Sequence, residues 1–474
     1  MISRRKFIQQ ASAAAAFTIL PRFVLGKGFV APSDKLYIAG IGAGGKGGSD
    51  LSSFAINPKA EIAFLCDVDD RRAVDSRAKF PKAKYYKDYR VMLDKEHKHI
   101  DAVSVSTPDH NHAVQTMAAI QLGKHVYVQK PLTHDIFEAR ALTLAAKKYK
   151  VVTQMGNQGA SGDGVRQLID WYEAGIIGDV HTVYCWTDRP VWPQGIAWST
   201  QKAEIPKELD WNLWLGTAPD KDYVEKLVPF NWRGWWDYGT GALGDMGCHL
   251  IEPPFRVLGL NYPTDVTASV GSVYVDEFKR GYFPESGPPS SFVTMSFPAR
   301  NGKSAVKLHW MDGGIKPERP EELGPNDQMG DGGNGCIFIG TKGKMMCGTY
   351  GAQPTLLPKS RNAEVTAPEA IKRVPGGPDP GHYVQWVDAC IAGYEKIELS
   401  SDFKIAGPLT ETILMGNLAI RSYDIRKPKI DKPNQFDYPG RGIKLLWDGE
   451  AMKVTNFDEA NAFVKREYRK GWGW

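Results

Sequence analysis

Leu36-Tyr37-Ile38-Ala39-Gly40-Ile41-Gly42-Ala43-Gly44-Gly45-Lys46-Gly47 decides the reading, together with Ile62-Ala63-Phe64-Leu65-Cys66-Asp67. One apolar run ends in clustered glycines, and the next ends in a carboxylate 20 residues beyond Gly47. The pattern is strand, tight turn, helix, strand. Bare glycine lets a backbone turn approach a diphosphate, and a helix start supplies amides and the positive end of a dipole. A carboxylate at this distance can accept the hydroxyl hydrogens of a ribose. Gly40-x-Gly42-x-x-Gly45 fits the same formula, but the register Gly42, Gly44, Gly47 gives the first strand its expected length. A dinucleotide is the implied ligand. Asp67 favours NAD over NADP because a carboxylate repels a 2′-phosphate, although Asp69, Asp70, Arg71 and Arg72 blur the preference.

Working outward, residues 35–155 alternate short apolar runs with helical patterns, which predicts a parallel sheet. Strands are expected at 36–41, 62–66, 102–105, 126–128 and 151–154, with helices near 48–56, 112–122 and 136–148. Asp109 is a natural N-cap for the helix at 112–122. The glycine turn, Asp67, Thr107-Pro108 and Gln129-Lys130-Pro131 all fall at carboxyl ends of strands, which share one edge in such a sheet. Beyond a helix at 164–174 the texture changes. Longer, partly alternating strands are expected at 180–186, 264–274, 291–297 and 304–310, with a hairpin at 336–347. Helices follow at 382–394, 409–423 and 458–468. The fold class is α/β: an N-terminal Rossmann doubly wound parallel sheet plus a C-terminal α/β domain with a large, mainly antiparallel open sheet. The expected divisions are 1–34 (signal and linker), 35–155 (cofactor domain), 156–430 (substrate and oligomerisation domain) and 431–474 (C-terminal extension). A homo-oligomer is expected, because a sheet this open needs cover.

Length and charge narrow the classes further. A chain of 474 residues accommodates two domains. Four of its five net positive charges come from Arg4, Arg5, Lys6 and Arg22, so the remainder is near neutral and offers nothing to nucleic acid. Ser3-Arg4-Arg5-Lys6-Phe7-Ile8 before the apolar stretch 11–20 reads as a twin-arginine export signal. That stretch is too short for stable membrane insertion, so a processed periplasmic protein is expected. The six cysteines form no C-x-x-C pair; a Cys336–Cys347 disulfide is left open by the spacing. Eight of the 14 tryptophans lie between 186 and 236, where aromatic faces could stack on sugar rings or simply pack a core.

Lys130 ends an apolar strand at the ligand edge, where an ammonium can bind a substrate hydroxyl and stabilise developing negative charge on its oxygen. Asp245-Met246-Gly247-Cys248-His249 follows a glycine-rich segment. On a helix, Asp245 and His249 share a face, placing a proton acceptor beside an orienting carboxylate. His110-x-His112 has no third ligand at suitable spacing, so no metal is expected. Asn157, Gln158, Arg189, Trp192, Trp232, Arg233, Trp235, Trp236 and Tyr238 are candidates to shape a sugar pocket, and His382 could reach the cleft.

These motifs resemble those of the glucose-fructose oxidoreductase/inositol dehydrogenase/rhizopine catabolism (Gfo/Idh/MocA) family, especially its twin-arginine-exported branch. The likeness rests on Gly42-Ala43-Gly44-Gly45-Lys46-Gly47, Cys66-Asp67-Val68-Asp69, Thr107-Pro108-Asp109-His110-Asn111-His112, Gln129-Lys130-Pro131 and Gly244-Asp245-Met246-Gly247-Cys248-His249. The resemblance implies that Lys130, Asp245 and His249 surround the reacting hydroxyl, with His249 as the acid/base. It implies that Gly42, Gly44, Gly45, Gly47, Asp67, Thr107, Pro108, His110, Gln129 and Lys130 hold the cofactor. It places His249 at the substrate, where Trp232, Arg233 and Tyr238 are the candidate partners among the pocket residues. Gln129 stands where the family usually has glutamate, and Pro131 follows a bond that is often cis there. The expected activity is hydride transfer between a secondary hydroxyl of a sugar or glycoside, at a ring carbon such as C3, and tightly bound NAD. Two alternatives stand beside it: net glycoside hydrolysis through transient oxidation and elimination, and a non-catalytic sugar- or cofactor-binding protein.

Overall fold

A computed structural model describes residues 34–474, so the twin-arginine segment and the apolar stretch after it lie outside the described residues. The apolar runs of the first third build β1 (Leu36–Ile41), β2 (Ala60–Cys66), β3 (Lys84–Tyr86), β4 (Ala102–Val105), β5 (His125–Val128) and β6 (Thr153–Met155). They form a parallel sheet in the order β3-β2-β1-β4-β5-β6. The connecting helices are α1 (Lys46–Phe54), α2 (Asp70–Lys79), α3 (Tyr89–Glu96), α4 (Asp109–Gln121) and α5 (Ile136–Tyr149). β3, α2 and α3 have no counterpart among the expected elements, because the charge-rich stretch 70–96 hides its short apolar faces.

Pairing register explains the ligand edge. Ile41 pairs with Cys66 and with Val105, Val105 with Val128, and Val128 with Met155. The next residues along each strand, Gly42, Asp67, Ser106, Gln129 and Gly156, therefore emerge level with one another. Gly42 has φ 84°, a left-handed conformation that glycine adopts freely. A side chain at Gly47 would lie 1.8 Å from the Gly42 carbonyl oxygen, so α1 packs directly on the turn.

After α6 (Asp163–Glu173) and β7 (Val180–Trp186), the chain runs through α7 (Trp211–Leu215), α8 (Gly241–Leu250) and α9 (Glu252–Val257). The strands β8 (Asp265–Val270), β9 (Tyr274–Asp276), β10 (Lys279–Arg280), β11 (Ser291–Phe297), β12 (Val306–Met311), β13 (Gly335–Gly340), β14 (Gly343–Cys347) and β15 (Thr355–Leu357) follow. Then come α10 (Arg361–Glu364), α11 (His382–Ala392), α12 (Phe403–Tyr423), β16 (Lys427–Lys429), β17 (Lys432–Asp437), β18 (Leu445–Asp448) and β19 (Lys453–Val454). The large sheet has the order β15-β14-β13-β7-β12-β11-β8-β18-β19. β7 and β12 run parallel and their neighbours antiparallel, so the sheet is mixed with an antiparallel majority. Along β11, Ser291, Val293, Met295 and Phe297 are buried while the residues between them are not.

Three expected elements differ. The strand expected over 264–274 breaks after Val270, and Tyr274 belongs to a separate hairpin with β10. α12 starts at Phe403 rather than near 409: Asp402 caps it through Lys404 N, and Pro408 is carried inside the helix. The helix expected over 458–468 is only a 3₁₀ turn, Asp458–Phe463.

Two packing details bear on the site. α11 supplies Tyr383, Trp386 and Val387 to the same apolar cluster as Leu36, Ile38, Leu51, Phe54 and Tyr127. Cys185, Cys336 and Cys347 are register neighbours across β7, β13 and β14, all buried free thiols. The Cys185 and Cys336 thiols donate to the Leu250 carbonyl at the end of α8 at 3.2 and 2.8 Å. No helix among the described residues is long and apolar enough to cross a membrane.

Candidate active site

A cleft of about 510 Å³ lies along the ligand edge of the parallel sheet. Its walls include Gly42, Gly44, Asp67, Thr107, Pro108, Gln129, Lys130, Asp245 and His249, which are scattered over 200 residues of sequence. The Asp67 carboxylate bridges the glycine turn, with Ala43 N and Gly44 N donating to Oδ2 at 2.9 and 3.1 Å and Asp69 N to Oδ1 at 3.0 Å. Burial raises this carboxyl to about 6 against the pull of those three amides. Its remaining lone pairs can accept hydroxyls. Arg72 lies over the turn, its guanidinium where a Gly45 side chain would be, so a cation stands beside the place a diphosphate would occupy. Arg71 instead pairs with Asp69 at 2.6 Å. The turn admits no side chain at Gly42, Gly44 or Gly45 without steric conflict, and Gly47 serves helix packing. These residues fit a dinucleotide.

Lys130 projects from the end of β5, and its bond to Pro131 is cis. Its ammonium donates to Asp245 Oδ1 at 2.7 Å and to the Asp245 carbonyl at 3.0 Å. Arg233 Nε reaches the same carboxylate oxygen at 3.3 Å. Burial alone would raise the Asp245 carboxyl, but Lys130 and Arg233 outweigh it and hold it at about 2. Asp245 and His249 both lie on α8, as their spacing predicts. Burial, reinforced by the Lys130 charge, lowers the His249 imidazolium to about 3, so the ring is neutral at pH 7. Its Nδ1 is buried with no hydrogen-bond partner among the described residues. A neutral imidazole lining the cleft beside a fixed ammonium can accept a hydroxyl proton while the ammonium supports the oxygen.

The start of α8 is fixed from the parallel sheet. Asp109 is the first residue of α4, not its N-cap, because Pro108 takes that position. Its carboxylate accepts from Thr240 N at 3.1 Å and Thr240 Oγ1 at 2.7 Å, immediately before α8.

Four expected site residues do not line the cleft: Gly45 and Gly47 of the turn, His110 and Tyr238. His110 is fully buried between the Tyr238 and Trp214 carbonyls, 3.2 and 3.0 Å from its ring nitrogens, and cannot line the nicotinamide side. Tyr238 is fully buried against Trp214 and His110 and cannot touch a substrate in the cleft. Asn157, Trp235, Trp236 and His382 are also absent from its walls; Asn157 is buried against Ser401, and His382 sits behind β6, against Ser161 and the Met155 carbonyl. Trp232, Arg233, Trp192, Arg189 and Gln158 do line it. Among the described residues no cluster of histidine, cysteine or carboxylate side chains could hold a metal.

Three participants escape a reading of the sequence. Tyr350 lines the cleft in the left-handed region (φ 65°), with its ring edge-on to His249 at 4.6 Å between centroids. Trp472 also lines it. Asp50, fully buried on α1, accepts from Lys46 Nζ at 2.5 Å, Ser106 Oγ at 3.0 Å and Gln129 Nε2 at 2.8 Å. Lys46 also donates to Tyr383 Oη at 2.7 Å. A carboxylate therefore does stand beside residue 129, but it comes from α1, and Gln129 meets it with an amide donor. A Gln129→Glu substitution opposes two buried carboxylates. One must take up a proton, so the substitution costs about 1–3 kcal/mol. Because the new carboxyl is raised in the folded state, the loss is full at pH 8 and shrinks as pH falls toward 5. Urea unfolding at both pH values measures it; equal stability of parent and variant at pH 8 would remove the charge from Asp50.

Residues 36–157 match the family model described as an oxidoreductase family with an NAD-binding Rossmann fold, and residues 168–276 match its C-terminal alpha/beta domain. Curated relatives include a levoglucosan dehydrogenase of Pseudarthrobacter phenanthrenivorans, 24% identical over 195 residues, 41% of this chain and 42% of that protein. They also include a glycosyl hydrolase family 109 protein of Shewanella sp. (strain ANA-3), 27% identical over 205 residues, 38% of this chain and 44% of that one. The matched segments thus span less than half the length of these relatives. A solved levoglucosan dehydrogenase in complex with NADH and levoglucosan shares the fold, with a TM-score of 0.54 at 17% identity over 82% of this chain and 98% of that one. The WlbA dehydrogenase from Bordetella pertussis, in complex with NADH and UDP-GlcNAcA, does likewise at 0.55 and 14%, over 83% and 99%. Residues 36–157 form an NAD-binding Rossmann domain, and the chain belongs to the Gfo/Idh/MocA family of oxidoreductases.

Proposed function

We propose that the protein transfers hydride between a secondary hydroxyl of a sugar or glycoside and NAD held along the cleft. The observation that carries this reading is the meeting of Lys130, Asp245 and His249 on one cleft wall, beyond the glycine turn and Asp67. The start of α1 and Arg72 hold the diphosphate, and Asp67 accepts the adenosine ribose hydroxyls. When bound, the nicotinamide supplies the hydride acceptor. Lys130 donates to the substrate oxygen, and Asp245 keeps that ammonium charged and aimed. His249 takes the hydroxyl proton during oxidation and returns it during reduction. Trp192, Trp232, Arg233 and Tyr350 form an aromatic and cationic wall suited to a polyhydroxylated ring. The sugar dehydrogenases among the relatives support the substrate class.

A second reading has its own support in the family 109 glycosyl hydrolase relatives: the same residues would oxidise transiently, eliminate a glycosidic substituent, admit water to the resulting enone and reduce the keto group again. The twin-arginine segment supports action in the periplasm, where retention of NAD through many turnovers would matter. A homo-oligomer covering the open sheet belongs to the same reading.

His249→Gln is expected to lower kcat roughly 10²–10⁴-fold with little change in NAD affinity. In the parent, the acid limb of kcat/KM set by His249 falls below pH 5, since the ring gains its proton only near pH 3. A limb near pH 6.5, or an undiminished variant, would remove His249 from the proton transfer. Mass spectrometry of a glycoside panel incubated with enzyme and NAD separates the two reactions. Keto-sugar formed with equivalent NADH supports the dehydrogenase, aglycone released without NADH supports the hydrolase, and neither product would defeat both. For localisation, Arg4→Lys with Arg5→Lys should hold the protein in the cytoplasm on cell fractionation; unchanged periplasmic recovery would refute twin-arginine export.

A further inference from the structure

We propose that Tyr350 is a positioning residue for the proton transfer: its ring, rather than a carboxylate, sets the orientation of the His249 imidazole and keeps water from its inner nitrogen. This deepens the function proposed for the cleft and rests on His249 taking the hydroxyl proton. A histidine that must accept a proton at one nitrogen is ordinarily oriented by a hydrogen bond at the other. Among the described residues that bond is missing, because His249 Nδ1 is buried without a partner. Asp245 stands four residues away on α8, but its Oδ1 is taken by Lys130 at 2.7 Å and by Arg233 at 3.3 Å. What meets the imidazole is Tyr350, edge-on, with 4.6 Å between ring centroids and 79° between the planes. Both residues line the cleft.

The backbone that presents this ring is strained and clamped. Tyr350 has φ 65° and ψ 17°, a left-handed conformation that is costly with a side chain and persists only where the surroundings enforce it. On one side Asp331, from the loop before β13, accepts from Thr349 N at 3.1 Å, Thr349 Oγ1 at 2.6 Å and Asn334 N at 2.7 Å. On the other, a side chain at Gly159 would lie 2.6 Å from Tyr350 Cβ, and one at Gly164 would collide with the Gly351 carbonyl oxygen. The turn therefore sits directly on the backbone of 159–164. Gly348 N donates to the Ala352 carbonyl at 2.8 Å and closes it. Glycine would suit this backbone better, so the side chain is what the strain maintains, and that side chain rests against His249.

The charges facing the imidazole are Lys130 after β5, Lys46 on α1 and Asp245 on α8. Tyr350→Gly alters none of them; it removes the ring and relaxes the backbone. NMR titration of the full chain, labelled at histidine Cε1 and assigned with His249→Gln, needs no substrate. The parent signal should stay that of a neutral ring down to pH 4, since burial holds the imidazolium at about 3. In Tyr350→Gly water reaches the inner nitrogen, and the midpoint should rise to about 5 or above. Kinetics use methyl glucoside, galactoside and mannoside as probes. Tyr350→Gly should lower kcat roughly 10–100-fold, leave KM within about threefold, and carry the acid limb of kcat/KM upward with the NMR midpoint. Tyr350→Phe, which keeps the ring and loses the hydroxyl, should recover most of kcat and the parental titration. A glycine variant with parental kcat and titration would overturn the proposal. So would a rise in KM alone, or a phenylalanine variant as impaired as the glycine one. Should the glycine variant fail to fold, Tyr350→Leu replaces it in both measurements with the same expected results. A parent that oxidises none of the three probes would count against the hydride-transfer reading instead, and the NMR midpoint would then decide the positioning by itself.

Discussion

The ammonium of Lys130 and the carboxylate of Asp245 meet at 2.7 Å across the seam between the parallel sheet and the helix α8. Both side chains are about five-sixths buried, at 17% and 16% exposure, so each would be costly to leave without the other. That shared need brings the strand end carrying Lys130 to the helix carrying His249. Asp109, bonded to Thr240 just ahead of α8, adds a second tie across the same seam. With the seam closed, an ammonium, a carboxylate and a neutral imidazole face one cleft without waiting for ligand to organise them. Such preorganisation is what allows a polar site to stabilise developing charge without first rearranging.

The cofactor half shows the same economy in a different form. Asp67 holds two amides of the glycine turn, so the loop keeps its shape through an internal contact rather than through an anion. Asp50 does the same a layer deeper, collecting Lys46, Ser106 and Gln129 around a single buried charge. Each carboxylate is surrounded by donors drawn from different segments of the chain, and each therefore fixes relative positions that backbone pairing alone leaves loose.

Much of this could be read in the sequence because parallel sheets obey a simple rule: residues just past the carboxyl end of a strand face the ligand. Gly42, Asp67, Thr107 and Lys130 are legible for that reason, and Asp245 with His249 because helical spacing places them together. Legibility failed where tertiary context overrides a local pattern. His110 and Tyr238 neighbour cleft residues in the chain, yet the first turn of α4 and the loop before α8 rotate them into the core. Asp50 reads as an ordinary polar position on α1, and only the convergence of three donors reveals it. Tyr350 depends on a left-handed backbone conformation that no residue type announces. The nine-strand sheet was visible in outline, whereas β3 and the break after Val270 were lost among charged and short segments.

The dependence of the cofactor half on distant sequence carries a consequence for biosynthesis. Tyr383, Trp386 and Val387 complete the apolar cluster against which β1 and α1 pack, and Tyr383 also receives Lys46 from the helix next to the glycine turn. Arg466 and Tyr468 anchor on Glu138, early in α5. A nascent chain leaving the ribosome therefore exposes the whole nucleotide-binding motif long before its supporting surface has been made. Loading with dinucleotide becomes an event of the finished polypeptide rather than of its first third, and a chain cut short near residue 380 would keep the Asp67 contact of the glycine turn but lose the apolar cover of α1 and the Tyr383 partner of Lys46.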